Sequence, residues 1–159
     1  MNEELKSTFE TLEVWQESRK LRMEITVLVK DFPDEEKYRL VDQMIGAVRS
    51  VSGNIAEGHG RLHFQENIQF CRRARGSLSE LLDHLYVALD DKYITEERFN
   101  YFRNKIFKLE KMVDEQIINI SKQKQAHSNP PRPPQAPRTP HPSHANKSSG
   151  GKHGGVKRL

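Results

Sequence analysis

The stretch VDQMIGAVRSVSGNI, Val41–Ile55, sets apolar side chains at Val41, Met44, Val48, Val51 and Ile55. Alternating steps of three and four residues follow one face of an α-helix, not the two-residue alternation of a strand. Upstream, Val14, Leu21, Ile25, Leu28 and Phe32 repeat the pattern, with Trp15 and Val29 widening the stripe. Pro33 stops it, because proline cannot continue a helix and restricts the residue before it. Asp34, Glu35 and Glu36 then place negative charge where the N-terminus of the second helix is expected. Downstream, Gly58 and Gly60 are expected to end that helix in the left-handed conformation of a C-cap.

The third block reads Phe64, Ile68, Cys71, Leu78, Leu82, Leu85 and Leu89, and Asp90-Asp91-Lys92 makes a turn. Thr95 is the expected N-cap of a fourth helix, with Glu96 and Glu97 in its first turn. Phe99, Phe102, Ile106, Leu109, Val113, Ile117 and Ile120 complete the series. Short connections force neighbouring helices to run antiparallel. The expected fold is therefore all-α: an up-down four-helix bundle over residues 9–121, preceded by a flexible lead at 1–8.

After Ser121 the apolar period vanishes, and seven of the eight prolines fall between Pro130 and Pro142. Residues 122–159 carry eight Lys and Arg with no Asp or Glu; since the whole chain is +4, residues 1–121 carry −4. A segment so poor in apolar residues cannot offset its ordering entropy, so a disordered, Pro-rich, basic tail is expected. The bundle itself is mildly acidic. Nucleic-acid binding by it would need local clustering of Lys and Arg, not bulk charge.

One cysteine, Cys71, precludes an intrachain disulfide or a multi-cysteine zinc site. No apolar run reaches the roughly 18–20 residues of a membrane span, and the acidic beginning Met1-Asn2-Glu3-Glu4 is unlike a secretion signal. A cytoplasmic protein without membrane contact is the expectation. No nucleophile–base pair, phosphate-cradling glycine loop or paired carboxylates stand out. His59 and His63 lack the third and fourth ligands of a zinc site. Neither enzymatic activity nor a cofactor is expected.

Three motifs point to a family. They are Leu12-Glu13-Val14-Trp15-Gln16-Glu17-Ser18-Arg19, Asn54-Ile55-Ala56-Glu57-Gly58-His59-Gly60-Arg61 and Ala74-Arg75-Gly76-Ser77-Leu78-Ser79-Glu80-Leu81. Together they resemble the four-helix-bundle proteins encoded in intervening sequences of bacterial 23S rRNA genes, a family related to the accessory protein of diversity-generating retroelements. The resemblance implies a homo-oligomeric ring, typically a pentamer, with no known enzymatic activity. In the retroelement relatives the ring binds nucleic acid and partners a reverse transcriptase. This sequence has Ile45 and Gly46 where the family often carries a basic pair, and His63 where a Ser or Thr often opens the third helix.

Candidate phosphate contacts, to RNA or DNA, are Arg49, Arg61, Arg72 and Arg73 on the bundle and Lys122, Lys124, Arg132 and Arg138 in the tail. At 3.6 residues per turn, Arg72 and Arg75 point about 60° apart and Arg73 diverges from Arg72 by about 100°. These arginines therefore form no flat patch on one helix, although symmetry in a ring would repeat them as a band. Arg75 falls four residues after Cys71, at an expected core position. An unpaired charge there would cost several kcal/mol, so a structural network with Asn54, Glu57 and Glu80 is expected. The alternative to a nucleic-acid scaffold is a protein-interaction or assembly module with an inert tail.

Overall fold

A computed structural model of the chain describes residues 8–128. The N-terminal residues 1–7 and most of the expected tail, 129–159, lie outside the described residues, and with them Arg132 and Arg138. The described residues form four α-helices in order: α1 Glu13–Leu28, α2 Leu40–His59, α3 Phe64–Asp90 and α4 Glu96–Ser128. Single 3-10 turns stand at Phe9–Thr11, Val29–Asp31 and Asp34–Glu36. No strand occurs among the described residues. Each helix packs on its neighbour in sequence, and α1 closes against α4, so the helices succeed one another around the bundle.

The core is the set of positions with helical period. Ile25, Met44, Val48, Val51, Leu78, Leu81, Leu85, Ile106 and Val113 are all essentially inaccessible to solvent. The three buried polar side chains among the described residues, Ser18, Ser52 and Ser77, are satisfied, as burial requires. Ser18 Oγ donates to the Trp15 carbonyl at 2.7 Å. Ser52 Oγ donates to the Arg49 carbonyl at 3.3 Å. Ser77 Oγ shares a 2.8 Å hydrogen bond with Ser50 Oγ across α2 and α3.

The α3 register differs from the expected one. Its buried row runs Cys71, Ala74, Ser77, Leu78, Leu81, Leu85 and Ala88. A fully buried alanine at 74 takes the place expected of residue 75, and Leu82 and Leu89 sit on the margin of the core. Small residues at 74, 77 and 88 let α3 approach its neighbours closely. A sequence reading that weights large apolar side chains passes over them.

The helix ends also depart from expectation. Neither Gly58 nor Gly60 adopts a left-handed conformation. Gly58 is buried inside α2, where an added Cβ would lie 2.8 Å from both Asn67 Oδ1 and Phe70 Cβ. It is therefore a close-approach glycine that lets α3 cross α2, not a helix terminator. Among the described residues the left-handed one is instead Lys92, at φ 61°. There the Tyr93 N–H donates to the Ala88 carbonyl at 2.8 Å and the Lys92 N–H to the Leu89 carbonyl at 3.0 Å, the hydrogen-bond pair of a Schellman end. The acidic triplet forms its own 3-10 turn ahead of α2, yet Glu36 reaches forward to accept the Leu40 N–H at 3.3 Å. Thr95 caps α4 as expected, accepting the Arg98 N–H at 3.2 Å.

α4 continues seven residues past Ser121, to Ser128. The run Lys122-Gln123-Lys124-Gln125-Ala126 lacks large apolar side chains, but Ala, Lys and Gln are strong helix formers. An already nucleated helix propagates readily through them. Lys122 and Lys124 thus belong to the helix and not to the tail.

Candidate nucleic-acid interface

The first turns of α3 and the last turns of α4 run side by side in opposite directions. Between them opens a groove of about 330 Å³ lined by Gln65, Ile68, Arg72, Ser121, Lys124, Gln125 and Ser128. Helical spacing explains the set. Residues 65, 68 and 72 share one face of α3, and 121, 124, 125 and 128 share one face of α4. Lys124 Nζ donates to Gln65 Oε1 at 3.0 Å. The Phe64 and His127 rings meet at 5.1 Å between centroids and hold the two helix ends together.

The lining contains two cations, five neutral residues and no carboxylate. Gln65, Ser121, Gln125 and Ser128 supply further donors, while Ile68 is buried at the base. A phosphodiester placed there would meet complementary charge and no carboxylate of the lining. Arg72 has no ion-pair partner among the described residues, so its fork of N–H groups is uncommitted and suits a phosphate's paired oxygens.

On the side of α3 that faces α2, away from the groove, the Arg61 and Arg73 guanidiniums each stand 4.9 Å from the centroid of the Phe70 ring. Stacking on an aromatic face orients a guanidinium at little entropic cost. Arg61 also forms an ion pair with Glu57, which reduces its free charge; Arg73 has no carboxylate partner among the described residues. Lys122 is exposed on α4 outside the groove lining. Arg49 lies apart, in a separate hollow between α1 and α2.

Within the protomer, the expected network around Arg75 does not form. Arg75 is about half exposed and its Nε lies 3.4 Å from Asp114 on α4. Asn54 Nδ2 donates to the Ser50 carbonyl at 2.8 Å. Glu57 pairs with Arg61, and Glu80 lies 3.7 Å from His84 Nε2. The physical reason is the register. With Ala74 in the core, Arg75 emerges on the α4 side and needs no buried partner.

Sequence reasoning missed Gln65, Ser121, Gln125 and Ser128. Their signal was the i, i+3, i+4, i+7 spacing of 121, 124, 125 and 128, which appears once α4 is carried to its end.

The profile of the 23S rRNA-intervening sequence protein matches residues 10–115. The chain belongs to this family. The match spans α1, α2, α3 and the larger part of α4, and ends before the α4 side of the groove. A crystal structure of a protein with unknown function from the S23 ribosomal protein family of Bacteroides thetaiotaomicron superposes with a TM-score of 0.61 at 22% identity, over 65% of this chain and 94% of that one. That likeness concerns the fold. A search of curated proteins finds no match. For this member of the 23S rRNA-intervening sequence family, no helix among the described residues is long and apolar enough to cross a membrane.

Proposed function

We propose that this protein is a non-enzymatic scaffold that binds RNA or DNA through the phosphate backbone, with the α3–α4 groove as its principal contact on the bundle. The observation that carries this reading is the convergence of Arg72 and Lys124 in a lining without a carboxylate. Helix electrostatics account for Lys124, which lies near the negative end of α4. They do not account for Arg72, which lies about two turns inside α3 and beyond the reach of its end effect. The six Lys and Arg of residues 129–159, with no acidic residue, follow directly in sequence and add sequence-independent attraction. Copies in a homo-oligomeric ring, typically a pentamer in the family this chain resembles, would multiply weak contacts through effective concentration.

The test is binding of the full chain to structured RNA and to duplex DNA beside the Arg72→Gln/Lys124→Gln variant. The reading requires weaker binding by the variant at a temperature where both proteins are fully folded. A role beside a reverse transcriptase rests on the resemblance to retroelement accessory proteins, and co-purification with a reverse transcriptase would test it. The second reading, an assembly module, draws on a different observation. Met23, Val27 and Tyr101 leave about half of their surface exposed around one apolar hollow. That reading requires salt-independent self-association and no affinity for nucleic acid.

A further inference from the structure

The seam between α1 and α2 holds a second pair of cations that no carboxylate pairs with among the described residues. Because the helices succeed one another around the bundle, this seam lies on the flank opposite the α3–α4 groove. Its hollow, of about 640 Å³, is lined by Arg22, Met23, Thr26, Val27 and Arg49, again without a carboxylate. Arg22 is half-buried, and its Nη1 donates to the buried Ser52 Oγ at 3.2 Å. The same Oγ donates to the Arg49 carbonyl at 3.3 Å. One nitrogen of Arg22 is thus anchored while its other N–H groups stay available, and the Arg49 guanidinium has no partner among the described residues. By contrast, the lysines on the α1–α4 side face carboxylates. Lys105 lies 2.8 Å from Glu24, and Lys20 and Lys108 flank Glu17.

Two guanidiniums sharing a hollow with no carboxylate repel one another and create a field that an anion relieves. Met23 and Val27, more than half exposed and one helical turn apart, give the same hollow an apolar shelf. A charged fork beside an apolar shelf matches a nucleotide, with its phosphate on the arginines and its sugar or base against Met23 and Val27. We infer that the Arg22–Arg49 hollow is a second phosphodiester-binding site, so that one bundle holds two nucleic-acid segments on opposite flanks and bridges them. This inference rests on the nucleic-acid reading above. It adds a site, a ligand class and the bridging activity.

The experiment is photo-crosslinking of the full chain to a hexanucleotide of 4-thiothymidine, with adducts mapped on tryptic peptides. The expected result is an adduct on Met23–Lys30 in addition to those on α3, α4 and the basic segment that follows. In Arg49→Gln that adduct falls several-fold while the others persist. Arg22→Gln is a second variant, read on the peptide Leu21–Lys30 because the cleavage site before Met23 is lost, and accepted only if its melting point is preserved, because Arg22 also bonds the buried Ser52. Adducts confined to α3, α4 and the C-terminal segment overturn this inference and leave the groove intact. A Met23–Lys30 adduct unchanged in Arg49→Gln overturns it equally. Absence of adducts anywhere removes the nucleic-acid reading and this inference together.

Discussion

Lys124 Nζ donates a 3.0 Å hydrogen bond to Gln65 Oε1, which ties the end of α4 to the first turn of α3. Together with the Phe64–His127 ring contact, it makes residues 122–128 part of the bundle. A chain ended after Ser121 should therefore melt lower than one ended after Ser128, which should match the full chain. Thermal unfolding followed by circular dichroism measures this. Equal melting points for the two truncations would show that the last two turns of α4 contribute nothing.

The helical glycines divide into two kinds. Gly58→Ala pushes a methyl group against Asn67 and Phe70 and should cost about 1–3 kcal/mol, as overpacking does. Gly46, Gly53 and Gly76 have open space around an added Cβ. Alanine at each should stabilise the helix by about 0.5–1 kcal/mol. Chemical denaturation of the four variants checks both signs. A loss at Gly46 or Gly53 would mean that another molecule covers that face of α2.

Arg75→Met should leave the protomer's stability within about 0.5 kcal/mol, because its pair with Asp114 is solvent-exposed. A large drop in melting point, or dissociation of an oligomer, would return Arg75 to the role of a buried or interfacial charge.

Stability should fall at alkaline pH. Burial pushes the Cys71 thiol up from 9.0 to about 11. Burial and the hydrogen bond to Glu36 raise Tyr93, and the hydrogen bond to Glu24 raises Lys105. Each group holds its proton more tightly in the folded chain than in the unfolded one. The associated stability is complete below the ordinary values and is lost as pH rises through the folded ones. For Cys71 that window runs from 9.0 to about 11. Denaturant midpoints across the window should decline, and Cys71→Ser should reduce the part of the decline due to the thiol. A flat profile would contradict the assignment.

The sequence made the helices legible because each buries a stripe of large apolar side chains at helical period, and Pro33 and Thr95 mark boundaries by local chemistry. Its failures at Ala74 and Gly58 share one cause, which is dependence on neighbours brought together only by folding. Ala74 is a core residue because α3 packs closely, and this displaces Arg75. Gly58 is small because Phe70 crosses it. The α3–α4 groove was half legible. Arg72 and Lys124 were visible as cations, but their convergence required α4 to reach Ser128 and lie antiparallel to the start of α3. The Arg22–Arg49 hollow could not be read from spacing at all, since its two arginines are 27 residues apart on different helices.

The most direct test of phosphate binding in the groove is the salt dependence of RNA affinity for the full chain and for Arg72→Gln/Lys124→Gln. The logarithm of the association constant should fall linearly with the logarithm of salt concentration, and the double variant should bind more weakly with a slope shallower by about 1–2. Equal affinity and equal slope for the two proteins, or no binding at low salt, would contradict the groove as a nucleic-acid interface.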